Sequence, residues 1–486
     1  MNIVAANTFR TAGFSGQQKL FPVILFVLLS SVSFFVQAQS TGKPTADNLE
    51  TRSRLKEVQL TFGSEGHFLN STQCFSKDDH WIVYDTRNDE TGISANQKIA
   101  RVNTRSGAIK TIYQTTRQTA FGPGVGAATF SPVENRVLFI HGIRNANEKN
   151  PYSATRRTGV SVNLNKPAEP EFLDARNIIP PFSPGALRGG THAHTWAGDG
   201  NWISFTYNDF IIEQLARKDT TLKDIRMVAV MNNRSSVTVP DTNGMENNNG
   251  KWFAAVVTKV TDHPAWGSDE IDRAFDESWI GSAGYIKNDG TRQKRAIAFQ
   301  GNVKDSQGKT KTEIFIVDLP DDITRAIPGC PLEGTATSRP CPPAGVHQHR
   351  ITFSDKGIQG PRFWLRTTED GQWIGFLAAD KKGVIQLFLV SPDGHKNRQL
   401  TFNDHSIEGP FNFSPNGSRV AYIADNSIYI TRLDDGLTER MTPRFADPEK
   451  PVGAVVWNNR GNTLTYNRYR KDRSGRSYLQ IFLLPL

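Results

Sequence analysis

The chain has 486 residues, 37% of them hydrophobic, with nine Trp and 29 Phe, enough for a large core; its 40 Gly and many Asn suit a turn-rich β protein better than a helical one. The 57 basic and 48 acidic residues give a formal charge of +9 with no dense Lys/Arg run, which argues against a nucleic-acid partner and leaves a mild bias toward anionic ones. Three cysteines without C-x-x-C spacing argue against a zinc site of the structural kind.

Residues 1–38 read as an export signal. Arg10 and Lys19 form a positive start without acids, Leu20 to Val36 is an apolar run, and Val36-Gln37-Ala38 ends it with cleavage-type small residues. The expected location is a bacterial periplasm. The same run also approaches membrane-spanning length, so an uncleaved leader would be the chain's one membrane contact. Without the leader, 55 basic residues face 48 acidic ones, a charge of +7. Residues 39–52 read as a polar tether, and 53–486 as one folded unit, expected to be a monomer.

Three sequence echoes recur along that unit. The first is Gln59-Leu60-Thr61-Phe62, repeated as Arg350-Ile351-Thr352-Phe353, Gln399-Leu400-Thr401-Phe402 and Arg440-Met441-Thr442. The second is an aromatic strand end, a Pro/Asn/Asp/Gly turn and an alternating apolar strand. Its copies start at Phe75, Phe130, Trp196, Leu365, Phe413 and Trp457. The third is a strand running into a polar turn, as at Leu387-Phe-Leu-Val-Ser-Pro-Asp-Gly394. Three echoes in fixed order, about 40 to 65 residues apart, describe four-stranded blades of an all-β propeller. Six hairpins are visible. The long interval from Phe205 to Leu365 holds Trp252–Thr258, Arg295–Phe299 and the strand at Glu313, which supplies a seventh blade with an interrupted hairpin. Tyr478–Leu483 would be the third strand of the last blade and Leu55–Leu60 its fourth, closing the ring.

The interruption, about 262–290, reads as the chain's helical patch. Ile271, Phe275 and Trp279 fall at i, i+4, i+8, with Asp269, Glu270, Asp272, Asp276 and Glu277 as a solvated acidic face. Cys330 and Cys341 bracket an aperiodic loop and are expected to pair in an oxidising compartment, leaving Cys74 as a buried thiol.

Phe413-Ser-Pro-Asn-Gly417 followed by Val420-Ala-Tyr422, together with Arg398-Gln-Leu-Thr-Phe402, resembles the WD40-like repeat of TolB-type propellers. The combination with Arg188-Gly-Gly-Thr-His-Ala-His194, Ser204-Phe-Thr-Tyr-Asn-Asp209 and Gly267-Ser-Asp-Glu-Ile-Asp-Arg273 is similar to a bacterial family of TolB-like propellers, the YidR-type proteins. That resemblance implies the fold and no assigned activity. The chain departs from TolB itself, because only about 15 residues stand where TolB has a separate N-terminal domain. It also lacks the G-x-S-x-G elbow of propeller-bearing serine peptidases, which sets serine hydrolysis aside.

Candidate chemistry collects where inner strands begin, since one polar residue from several blades would face the same channel mouth. Those residues are His67, His192, Arg362 and Glu408. His192 and His194, two apart on a strand, are expected to share a face. With His67 and Glu408 they could hold Mn²⁺ or Zn²⁺, and Arg188 and Arg362 could bind an anionic group. Two functions are compatible with that arrangement. One is a non-catalytic module binding a protein or an anionic glycan. The other, by fold-level analogy, is a metal-dependent lyase on acidic oligosaccharides like oligogalacturonate lyase, with His192, His194 and Arg188 as candidate catalytic residues. A second His-x-His, His347 and His349, sits beside the cysteine loop and reads as surface.

Overall fold

The computed structural model describes residues 56–166 and 169–486; the leader and the tether lie outside the described residues. The described chain forms seven antiparallel sheets arranged as a seven-bladed propeller. The blades span 68–114, 125–172, 189–256, 271–350, 366–399, 412–440 and 451–485, and in each the chain runs from an inner to an outer strand. The seventh blade takes its outermost strand from Val58–Gln59, which pairs antiparallel with Phe482 and Leu483 and closes the ring.

Seven hydrophobic clusters lie one between each pair of neighbouring blades. Trp202, Val228, Ile297 and Phe299 fill the gap between blades 3 and 4, and Tyr84, Ile82, Ile481 and Leu483 fill the gap between blades 1 and 7. Strands buried on both faces explain why the repeat is so rich in aromatic and β-branched residues. Among the described residues no helix is long and apolar enough to cross a membrane.

The recurring Thr of the first echo has a structural reason. In blades 3, 4, 5, 6 and 7 a Thr hydroxyl stands just past the outer strand and accepts a hydrogen bond from a backbone N–H of the neighbouring strand. The pairs are Thr258 with Val228 (2.9 Å), Thr352 with Ile314 (2.8 Å), Thr401 with Leu387 (2.9 Å), Thr442 with Ile428 (3.0 Å) and Thr61 with Ile481 (2.9 Å). The hydroxyl replaces a ladder carbonyl where the strand turns away. Thr401→Val keeps the shape and strands the buried Leu387 N–H, so we expect a loss of about 1–3 kcal/mol in urea unfolding.

The helix expected over 268–280 is not formed. Ile271–Trp279 is instead the inner strand of blade 4. Spacings of four residues return to one face in a strand as well as in a helix, so Ile271, Phe275 and Trp279 fit both. Two register shifts, after Ile271 and after Phe275, complete the disguise. Asp276 and Glu277 are consequently buried, not part of a solvated face, while Asp269 and Glu270 are exposed. The interrupting element is a hairpin of Tyr285–Ile286 with Arg292–Gln293, in the turn after that strand. Trp252 to Val256 belongs to the outer edge of blade 3, not to blade 4. The one α-helix among the described residues is Phe210–Ala216, capped by Asp209, whose side chain accepts from Ile212 N at 3.0 Å.

Candidate functional site

Inner strands begin, outer strands end and the second and third strands of each blade are joined at the same end of the propeller. The channel below this mouth is bridged by polar side chains. Arg366 of blade 5 donates to Asn412 Oδ1 of blade 6 (2.8 Å) and to Ser71 Oγ of blade 1 (2.9 Å). Gln73 of blade 1 exchanges hydrogen bonds with the Trp196 backbone of blade 3, at 2.9 and 3.0 Å. The blade 1 segment that reaches across is held to its own sheet only by the Phe68–Asp85 and Phe75–Ile82 bridges. These contacts floor the channel below the mouth.

Above the floor, blades 2 to 5 contribute a cluster of guanidinium groups. Arg157 and Arg226 stand where the third strands of blades 2 and 3 begin, and Arg273 and Arg362 where the inner strands of blades 4 and 5 begin. Arg157 Nη2 donates to His192 Nδ1, and His192 Nε2 donates to Asn208 Oδ1 at 2.9 Å. Arg226 Nε also reaches Asn208 Oδ1, at 3.3 Å, and Asn208 Nδ2 donates to Asp224 at 2.8 Å. Burial and the nearby Arg157 and Arg226 charges hold the His192 pKa well below its ordinary value, so the ring is neutral. Arg362 lies over the Phe275 ring at 4.1 Å and approaches Asp276 at 3.3 Å. Burial pushes the Arg226 pKa down, as do the charges of Arg273 and Arg362, so these side chains share one electrostatic neighbourhood. Among the described residues Arg157, Arg226 and Arg273 form no salt bridge with a carboxylate, whereas Arg362 has Asp276.

Beneath them lies Glu277, fully buried, with neither carboxylate oxygen hydrogen-bonded. Burial, reinforced by Asp276, pushes its pKa up to about 8. Asp276 itself adopts φ 54°, a left-handed conformation uncommon outside glycine and best tolerated by Asn and Asp, at the bulge that turns the strand here.

The residues singled out from sequence are dispersed. His192 and Arg362 fall in the cluster. His194 lies near Arg157, as His192 does, but takes different hydrogen-bond partners, because the pairing shifts by one residue between Thr191–Tyr207 and Thr195–Ser204 and breaks the alternation. His194 is instead buried against Phe205, with Nε2 on Thr191 Oγ1 at 3.0 Å. His67 is buried against Tyr84, with Nδ1 3.2 Å from the Leu479 carbonyl oxygen. Glu408 faces Lys450 at 3.7 Å. Arg188 is fully buried. It pairs with Asp209 at 2.7 Å and donates to the Thr335 and Ser338 carbonyls, the latter at 2.9 Å. Those carbonyls lie in the loop bounded by the Cys330–Cys341 disulfide, so Arg188 pins that loop to blade 3. His347 and His349 lie on the outer strand of blade 4, with rings 5.1 Å apart.

Both His192 nitrogens are engaged, and among the described residues no three His, Cys, Asp or Glu side chains are grouped to hold a metal ion. The side chains present at the mouth suit an anion. A concavity of about 500 Å³ lies on blade 1, and its cations are matched internally, Arg87 by Asp85 (2.7 Å) and Lys98 by Glu65 (2.6 Å).

Arg157 and Arg226 lie in no motif, and Arg273 ends the Gly267–Arg273 segment, which carries the family resemblance but no sign of a charge cluster. The one available signal was position: each sits at or beside a strand start on the mouth side.

Comparison with solved structures places the fold beside two lyases. An oligogalacturonate lyase in complex with manganese superposes with a TM-score of 0.51 at 10% identity, covering 90% of this chain and 94% of that one. Oligogalacturonate lyase from Vibrio parahaemolyticus gives 0.52 at 9% identity, covering 89% and 94%. At these identities the likeness is one of fold. Residues 124–247 match a family described as protein of unknown function, DUF3748. Over 415 residues the sequence is 35% identical to the uncharacterized protein YidR of Escherichia coli (strain K12), covering 84% of this chain and 94% of that protein. A propeller of seven blades with a floored, arginine-lined mouth thus belongs to the YidR family.

Proposed function

We propose that this protein is an exported binding propeller that holds an acidic oligosaccharide, of the uronate class, at its mouth without transforming it. The observation that carries this reading is the set of three guanidiniums, Arg157, Arg226 and Arg273, with no carboxylate partner among the described residues, joined by Arg362 over Phe275. Guanidinium forks match carboxylates bidentately and are weakly hydrated, so a group of them that makes no salt bridge, although Asp224, Asp272 and Asp276 lie nearby, favours a carboxylate ligand. The neutral His192 and the Asn208 amide fix Arg157 and Arg226 before a ligand arrives, which lowers the ordering cost of binding.

Calorimetric titration of the purified protein with digalacturonate tests this. We expect saturable binding that Arg226→Gln weakens by roughly ten- to a hundredfold, the range for a charge-assisted contact. No binding by the wild type, or equal binding by the variant, removes the reading. Appearance of an unsaturated product absorbing in the ultraviolet would make the protein a lyase instead.

A further inference from the structure

The same end of blade 4 carries two exposed aromatic side chains, Trp266, which lies outside the repeat, and Phe353, the Phe of the first echo, whose counterparts Phe62 and Phe402 are also exposed. Trp266 is 69% exposed and Phe353 70% exposed. A single exposed ring is unremarkable on a protein surface, but each of these is braced on one face. A Cβ added at Gly308 would lie 2.6 Å from the Trp266 indole, so the ring rests on the Gly308 backbone, where only glycine leaves room. Gly308 has φ +79°, in the tight turn joining the second and third strands of blade 4. Phe353 rests on the Arg350 guanidinium, 4.5 Å from its ring centre. Arg350 is in turn held by Glu313 (3.2 Å) and by Asp269 (3.4 Å), three residues beyond Trp266. The backbone before Phe353 is fixed by the Thr352 hydroxyl. Both rings are thus held in place with their other face bare.

Their placement is radial. Arg273 sits on the inner strand of blade 4, Trp266 over the turn between its middle strands, and Phe353 just past its outer strand. Neighbouring strands lie about 4.8 Å apart, so the four strands span roughly 14 Å from the mouth to the rim, the length of a short oligosaccharide. Guanidiniums mark the inner end of that line and apolar plates its middle and outer parts. The flat apolar faces of sugar rings match isolated, braced aromatic plates.

We propose that the mouth-side edge of blade 4 is a linear glycan track. The acidic sugar occupies the mouth at Arg226, Arg273 and Arg362, and the sugars that follow it stack on Trp266 and then on Phe353. The chemical class of the ligand is therefore an acidic oligosaccharide of several residues, not a free sugar acid. This rests on the acidic-oligosaccharide reading of the mouth.

The test compares digalacturonate with hexagalacturonate on the wild type and on Trp266→Ala/Phe353→Ala, at physiological ionic strength. Both side chains are exposed, so the double variant keeps the fold, which its unchanged thermal unfolding verifies. We expect the wild type to bind the hexamer on the order of tenfold or more tightly than the dimer, the scale of one or two aromatic contacts. The double variant is expected to bind the dimer as the wild type does and to lose the gain with length. Equal affinity of the wild type for both lengths, or a gain retained by the double variant, overturns the track while leaving the mouth in place. Failure of the wild type to bind either length removes the mouth reading, and the track with it.

Discussion

Asp209→Ala is expected to destabilise the protein by about 3–5 kcal/mol, the usual cost of leaving a buried charge without its partner. Asp209 Oδ2 accepts from Arg188 Nη2 at 2.7 Å, from Arg188 Nε at 3.1 Å and from the Tyr207 hydroxyl at 3.1 Å. Its other oxygen caps the helix Phe210–Ala216. Arg188 is fully buried, so its charge has no water to turn to once the carboxylate is gone. The loop between Cys330 and Cys341 should loosen at the same time, because two of its carbonyls depend on that guanidinium. Chemical denaturation gives the magnitude, and amide exchange at 335–338 reports the loop. Asp435→Ala, which removes the exposed partner of Arg432, is the control and should leave the midpoint unchanged. Matching curves for the two variants would rule out a structural role for the Arg188–Asp209 pair.

Glu277→Gln should have the opposite effect, and one that depends on pH. Glu277 binds its proton more tightly in the fold, with a pKa of about 8, than in the unfolded chain, where 4.5 applies. The folded form therefore carries more protons than the unfolded form between those values, and stability falls as pH rises through that window. Below about pH 4.5 both forms are protonated and there is no difference. The full fall is reached above about pH 8 and is on the order of 5 kcal/mol. Glutamine cannot ionise. The stability of Glu277→Gln relative to the wild type should thus climb from pH 4.5 to pH 8, whatever constant offset the amide introduces. Urea midpoints at pH 4, 6 and 8.5 measure this. Curves that stay parallel would mean that Glu277 does not hold its proton in the fold.

The fold was legible because it is written several times. A turn flanked by aromatic and β-branched residues is weak evidence once, but six copies in phase with a strand-closing Thr leave few architectures. Closure by the first strand followed from the need to cover an edge, and Val58–Gln59 does cover it. The inner strand of blade 4 is disguised in the sequence because four-residue spacing is common to both periodicities and because its bulges hide the alternation. The site was less legible for a related reason. Arg188 and Asp209 stand 21 residues apart in sequence, and nothing in either residue announces that they neutralise one another in the core. His192 and His194 sit near the same Arg157, yet a one-residue slip in pairing gives them different hydrogen-bond partners, which spacing alone does not announce. Arg157, Arg226 and Arg273 come from three different blades, and only the closed ring makes them neighbours.

The pairing of Val58 with Leu483 also sets an order of events. The first strand of the propeller to leave the ribosome is the last to find its place, since its partner strand Ser477–Pro485 comes more than 400 residues later. Six blades can form from local hairpins as the chain emerges, but the cluster between blades 1 and 7 must wait for the whole chain. Until then the ring is an open arc with two exposed apolar ends. During that interval the chain is most exposed to aggregation and to proteolysis, and a slow final phase in refolding is expected to coincide with burial of Tyr84 and Ile481.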